Sequence, residues 1–190
     1  MTRLTIVRGA PIILRSPANH RSYKPVRGLM RNIGFGLRTE HRTVPRGQWI
    51  DQAGIVHQQR SVEAWAKEKV HRFGYDHAYQ LLLSTGQGRL DSADFNTALQ
   101  TGSDISNVRE WRMMLHADTN NQHAHAILFR HEPLSRKQYL AWQQSMQQTL
   151  DKRQMERLLE QEQSLGRGEQ RAQSAEISAP QQEHSWGIER

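Results

Sequence analysis

The chain contains no cysteine, which excludes a disulfide framework, a thiolate nucleophile and cysteine-bound zinc. It also lacks any long apolar run. Nothing approaches the roughly 20 apolar residues that span a bilayer, and Ala10-Pro11-Ile12-Ile13-Leu14 is too short for the core of a signal peptide. The expectation is a soluble, cytoplasmic protein. Acidic residues are scarce relative to basic ones, 19 Asp and Glu against 26 Lys and Arg, for a formal charge of +7. With a sequence pI near 10.2, that imbalance favours a polyanionic partner, because each neutralised phosphate releases condensed counterions. Nucleic acid is the first candidate, and a merely basic protein is the plain alternative. Apolar residues make up only 36% of the 190. They gather in a few periodic stretches, as in one compact domain with polar appendages.

Residues 1–60 are rich in Arg, Gly and Pro and read as an irregular basic segment, with short strands possible at Leu4 to Val7 and Ile12 to Leu14 and a hairpin around Trp49 to Val56. From Ser61 the spacing of Val62, Trp65, Ala66, Lys69, Val70 and Phe73 predicts a helix capped by Ser61 and closed by Gly74. A strand at Ala78 to Thr85, a Gly-Gln-Gly turn and a helix from Asp91 or Ser92 to Gly102 follow. Trp111 to Ala117 and His123 to Phe129 read as antiparallel strands joined by a polar turn. Ser135 and Gln138 form a capping box before a long helix over 134–165, with Tyr139, Trp142, Met146 and Leu150 on one face. A disordered polar tail is expected over 166–190.

Side chains two apart on a strand share a face, so His123 and His125 project together. His116 joins them in either register: pairing Asp118 with Asn121 sets it opposite His123, and pairing Asp118 with His123 sets it opposite His125. Opposed Cβ atoms lie about 5 Å apart, close enough for three imidazoles to reach one ion at about 2.1 Å. Three neutral nitrogens leave coordination positions open for chemistry. Asp118 shares that face and can orient a histidine through its ring N–H. The cofactor expected is one divalent metal ion, Mn, Mg or Zn.

The segment His116-Ala117-Asp118-Thr119-Asn120-Asn121-Gln122-His123-Ala124-His125 resembles the H-x-D-x-x-x-x-H-x-H motif of HUH-type conjugative and plasmid-mobilisation relaxases. Tyr79-Gln80-Leu81-Leu82-Leu83-Ser84 resembles the strand ending in serine that precedes that motif. The likeness covers roughly Ala78 to Arg130. It implies an α+β sandwich with a palm-like antiparallel sheet flanked by helices, occupying 1–165. It also implies a metal-dependent endonuclease and transesterase that nicks single-stranded DNA at a transfer origin through a phosphotyrosine intermediate. The implied partners are that DNA, an accessory DNA-binding protein and a secretion-system coupling protein. Relaxases often carry further domains, so the chain can be the front part of a longer protein.

Leu29-Met30-Arg31-Asn32-Ile33-Gly34-Phe35 looks like relatives that read Arg-Tyr-Ile, yet Asn32 stands where their tyrosine attacks. An amide cannot form that intermediate. Either another tyrosine serves, or the site is degenerate or deliberately altered, or it binds without cutting. Tyr23 is the N-terminal candidate, its basic neighbours expected to favour the phenolate. Tyr139 is the alternative, on the helix where replication initiators and transposases of this fold carry theirs. Tyr75 and Tyr79 read as structural. Ser84 is expected to hold DNA, and Arg21, Lys24, Arg31 and Arg38 to contact its phosphates. A non-catalytic DNA-binding accessory protein is the remaining reading.

Overall fold

A computed structural model describes residues 13–15, 22–36, 46–85, 90–116 and 122–177. In chain order the elements are β1 (Ile13–Arg15), α1 (Tyr23–Phe35), β2 (Trp49–Asp51), β3 (Val56–His57), α2 (Gln59–His71), β4 (His77–Ser84), α3 (Ser92–Thr101), α4 (Ser103–Ser106), β5 (Trp111–His116), β6 (His123–Arg130) and α5 (Arg136–Ile177). The strands form one sheet in the order β1-β4-β6-β5-β2-β3. Every neighbouring pair is antiparallel. The architecture is α+β, with helices on both faces.

Strand alternation divides the core in two. Leu81, Leu83, Met113, Ala124, Ala126 and Leu128 face α3, α4 and α5, where Phe95, Leu99, Trp142, Met146 and Leu150 complete an apolar cluster. Ala78, Met114, Ile127 and Phe129 face the other way, onto Val26, Met30 and Ile33 of α1 and Val62, Ala66 and Val70 of α2. Central strands buried on both faces read as near-continuous apolar runs, as Leu81-Leu82-Leu83 does.

The first 60 residues are not simply irregular. α1 spans thirteen of them, from Tyr23 to Phe35. Pro25 sits in its first turn, where a missing N–H costs nothing. Val26, Met30 and Ile33 are its buried stripe, and Gly36 ends it at φ 84°. The stripe is hard to see in sequence because Gly28, Gly34 and two arginines break it up, and glycine carries a helix penalty that packing overrides here.

The segment expected to be a hairpin is one. β2 pairs with β3 at Trp49↔His57 and Ile50↔Val56, through a turn with Gly54 at φ 81°. Asp51 Oδ1 accepts the backbone N–H groups of Ala53 and Ile55 at 3.0 and 2.9 Å and so braces that turn. α2 begins at Gln59, two residues before the expected cap, with Gln58 at the N-cap and no side-chain cap bond. Phe73, counted in its apolar stripe, lies past its end and is exposed. Asp91 caps α3 in a capping box with Asp94.

Ser135 and Gln138 cap α5 reciprocally, Gln138 N–H donating to Ser135 Oγ at 3.2 Å and Ser135 N–H to Gln138 Oε1 at 3.2 Å. The helix was expected to stop near residue 165 and instead runs to Ile177. Its Gln, Glu and Arg residues are poor core formers but good helix formers, so low hydropathy there does not mean loss of helix. The remainder of the expected tail, 178–190, lies outside the described residues, as do Leu4 to Val7 and the Gly-Gln-Gly segment.

Candidate metal centre

The pairing of β5 with β6 settles the register. His116 lies opposite His123 and Met114 opposite His125, the first of the two pairings open at the sequence level. On the other side of β6, Ser84 pairs with His123 and Leu82 with His125. Ser84, His123 and His116 therefore form one row across three adjacent strands, with His125 in the next row on the same face. Ring centroids are 5.1 Å apart for His116 and His123, 4.7 Å for His116 and His125, and 5.2 Å for His123 and His125. One ligand atom from each ring lies within 4.8 Å of the others.

The three imidazoles can offer their nitrogens to a metal ion. Two nitrogens bound tetrahedrally at about 2.1 Å are about 3.4 Å apart, and His116 Nδ1 stands 3.3 Å from His123 Nε2. His116 is fully buried. Burial, with the adjacent His116 and His123 and the charge of Arg46, pushes the His125 pKa down to about 3. That ring is neutral at physiological pH, the form that carries a metal-binding lone pair.

Two groups that sequence reasoning did not single out brace the cluster. The Ile33 carbonyl oxygen, near the end of α1, is 3.0 Å from His116 Nε2. The Gln80 side-chain nitrogen is 2.8 Å from His125 Nδ1. The carbonyl is invisible in sequence because it belongs to a helix not expected there. Gln80 was legible in part: four residues before Ser84 on the same strand, it shares the histidine face.

Of the other expected site residues, Ser84 stands beside His123. Asp118, Arg21 and Arg38 lie outside the described residues. Arg31 is exposed on α1 and lines a groove of about 790 Å³ with Arg27, Phe35, Gln48, His57 and Arg60. Lys24 is also exposed, but at the opposite end of α1.

None of the four tyrosines is brought to the histidines. Tyr23 begins α1, ten residues before Ile33, which is about 15 Å along a helix axis. Its hydroxyl donates to the Glu63 carbonyl oxygen at 3.0 Å. Burial and the Glu63 charge push its pKa up against the opposing effect of Arg27, the reverse of the activated phenolate expected from its basic neighbours. Tyr79 is buried on the other face, its hydroxyl accepting the Leu134 N–H at 2.8 Å. Tyr75 stacks on His131 at 4.1 Å, beside the His77↔Arg130 pair. That pair is seven residues from Ser84↔His123, or about 23 Å along the strands. Tyr139 rides on α5, in the layer on the opposite side of the sheet. Asn32, at the relaxase-like tyrosine position, is exposed on α1 immediately before the residue whose carbonyl meets His116.

No family model matches the chain, and no curated protein or solved structure is significantly similar to it.

Proposed function

We propose that the chain is a relaxase-like, HUH-type domain that engages a phosphodiester of single-stranded DNA at a divalent metal held by His116, His123 and His125. The observation that carries this reading is the convergence of the three rings on one face of an antiparallel sheet, with a nitrogen pair already at ligand spacing. A bound ion supplies Lewis acidity toward a phosphoryl oxygen. Around it, Ser84 offers a hydroxyl in the same cross-strand row, and Arg46 places positive charge beside His125. The groove bearing Arg27, Arg31, Arg60 and Phe35 combines cations with an aromatic ring, which suits a phosphate backbone carrying unpaired bases.

Cutting through a phosphotyrosine is not part of this activity, because no tyrosine of the chain stands near the cluster. The same geometry disfavours a replication initiator or transposase using Tyr139, since the sheet separates α5 from the histidines. Binding at the transfer origin of a mobile element, with an accessory protein and a coupling protein, follows only from the motif resemblance.

The test is binding of labelled single-stranded oligonucleotides of mixed sequence, with and without Mn²⁺, followed by denaturing electrophoresis. Affinity is expected to rise with Mn²⁺, to lose that rise in His123→Ala, and to leave no covalent adduct. Affinity indifferent to both metal and His123→Ala contradicts the metal-centred reading, and an adduct contradicts the exclusion of tyrosyl transfer.

A further inference from the structure

A second cavity lies at the far end of the sheet, where β5 begins and β6 ends, about 23 Å along the strands from the His123 row. It encloses about 410 Å³, a size suited to a small ligand. At the strand end both faces reach it: Phe129 of β6 with Trp65 and Lys69 of α2 from one side, and Arg130, of opposite strand parity, with Arg109 from the other. The charges there are unevenly matched. Glu110 is committed, with Lys69 Nζ at 2.7 Å and the Trp65 indole N–H donating to it at 3.3 Å. The two arginines are not. Arg130 is only 6% exposed, yet its Nη1 is enclosed without a hydrogen-bond partner. Neither Arg130 nor the exposed Arg109 forms an ion pair among the described residues. Burying a cation without a partner is unfavourable. An oxyanion entering the cavity meets a guanidinium that is already desolvated, and the guanidinium fork matches phosphate oxygens.

The same wall carries stacked rings. Tyr75 and His131 line the cavity with their ring centroids 4.1 Å apart at 17°, and His131 is exposed. A π surface of this kind stacks a nucleobase of any identity. Inorganic phosphate or a simple carboxylate uses the arginines alone and leaves the rings idle. We propose that this cavity binds a mononucleotide, its phosphate held by Arg130 and Arg109 and its base stacked on the Tyr75 and His131 pair. The same chemistry is presented by a free nucleotide and by the phosphorylated end of a single strand. The site is separate from the histidines and needs no metal, and no bond is made or broken in it.

Calorimetric titration of the full chain with dAMP tests this. Saturable binding is expected, with inorganic phosphate bound about 10-fold more weakly because it has no base to stack. Arg130→Met is expected to weaken dAMP binding about 10- to 100-fold, while its urea midpoint stays the same or rises, since an apolar side chain replaces an unpaired buried charge. Arg109→Ala alters an exposed side chain and is expected to weaken dAMP binding about 2- to 5-fold at unchanged stability. No saturable binding by the wild type, or wild-type affinity in both variants, overturns the proposal. An Arg130→Met chain that loses stability also overturns it, by making Arg130 a structural residue, and so does inorganic phosphate bound as tightly as dAMP, by removing the base from the site. Displacement of dAMP by a terminally phosphorylated oligonucleotide, and not by the same strand without its phosphate, assigns the strand end as the source. Retention of dAMP against both assigns the free nucleotide.

Discussion

The two faces of the sheet are built from the same strands and do different work. On the face toward α3, α4 and α5 the strands contribute Leu81, Leu83, Met113, Ala124, Ala126 and Leu128 to one apolar cluster, with the buried Arg130 at the end of β6, and Trp142, Met146 and Leu150 close it at helical spacing. On the face toward α1 and α2 the apolar cluster is interrupted by His116, His123, His125, Gln80, Asp51 and Arg112. Burying polar groups costs stability unless they are hydrogen-bonded. Gln80 and Ile33 partner two of the histidines, and His57 partners Asp51. The division teaches that one face holds the fold together while the other carries a polar site at the cost of internal hydrogen bonding.

The largest test of that division is Trp142→Ala. The ring is fully buried and donates to the Leu99 carbonyl oxygen at 3.2 Å. Its loss is expected to cost about 3–5 kcal/mol in urea unfolding while leaving metal affinity per folded molecule unchanged. A loss of metal affinity in the folded fraction would break the separation of the faces.

Gly102→Ala sharpens the same point. A Cβ there would run into the Trp142 ring, and overpacking of this kind costs about 1–3 kcal/mol, read by the same unfolding curve.

The third test is pH-dependent and falls on the polar face. Burial pushes the Asp51 carboxyl up, but hydrogen bonds from His57, Ile55 and Ala53 and the charge of Arg112 outweigh it and hold the carboxyl below its ordinary range. Its stabilisation is therefore fully present above the unfolded carboxylate value of about 4 and is lost as pH falls through the lower folded value. The urea midpoint should drop over that acidic window, and Asp51→Asn should flatten the drop.

The smallest effect is expected for Tyr23→Phe, which removes one hydroxyl donating to the Glu63 carbonyl. About 0.5–1.5 kcal/mol of stability should go, with no change in DNA binding.

The faces also differ in how far sequence revealed them. Helical spacing on α5, the Asp91 cap of α3 and the Ser135–Gln138 box are local signals, and they mark the apolar face well. The histidine row was legible because strand parity carries His116, His123 and His125 to one side in either register. What sequence hid is the cover over that row. α1 hides its stripe behind glycines and arginines, and its contribution is a backbone carbonyl, which no side-chain pattern encodes. The placement of tyrosines depends on which layer each helix joins, and that is settled by long-range packing.

The most direct test of the account is calorimetric titration of the purified full chain with Zn²⁺. One ion per chain is predicted for the wild type, with that binding lost in His116→Ala, His123→Ala and His125→Ala. No saturable binding, or binding that survives all three substitutions, would contradict a metal centre on this face.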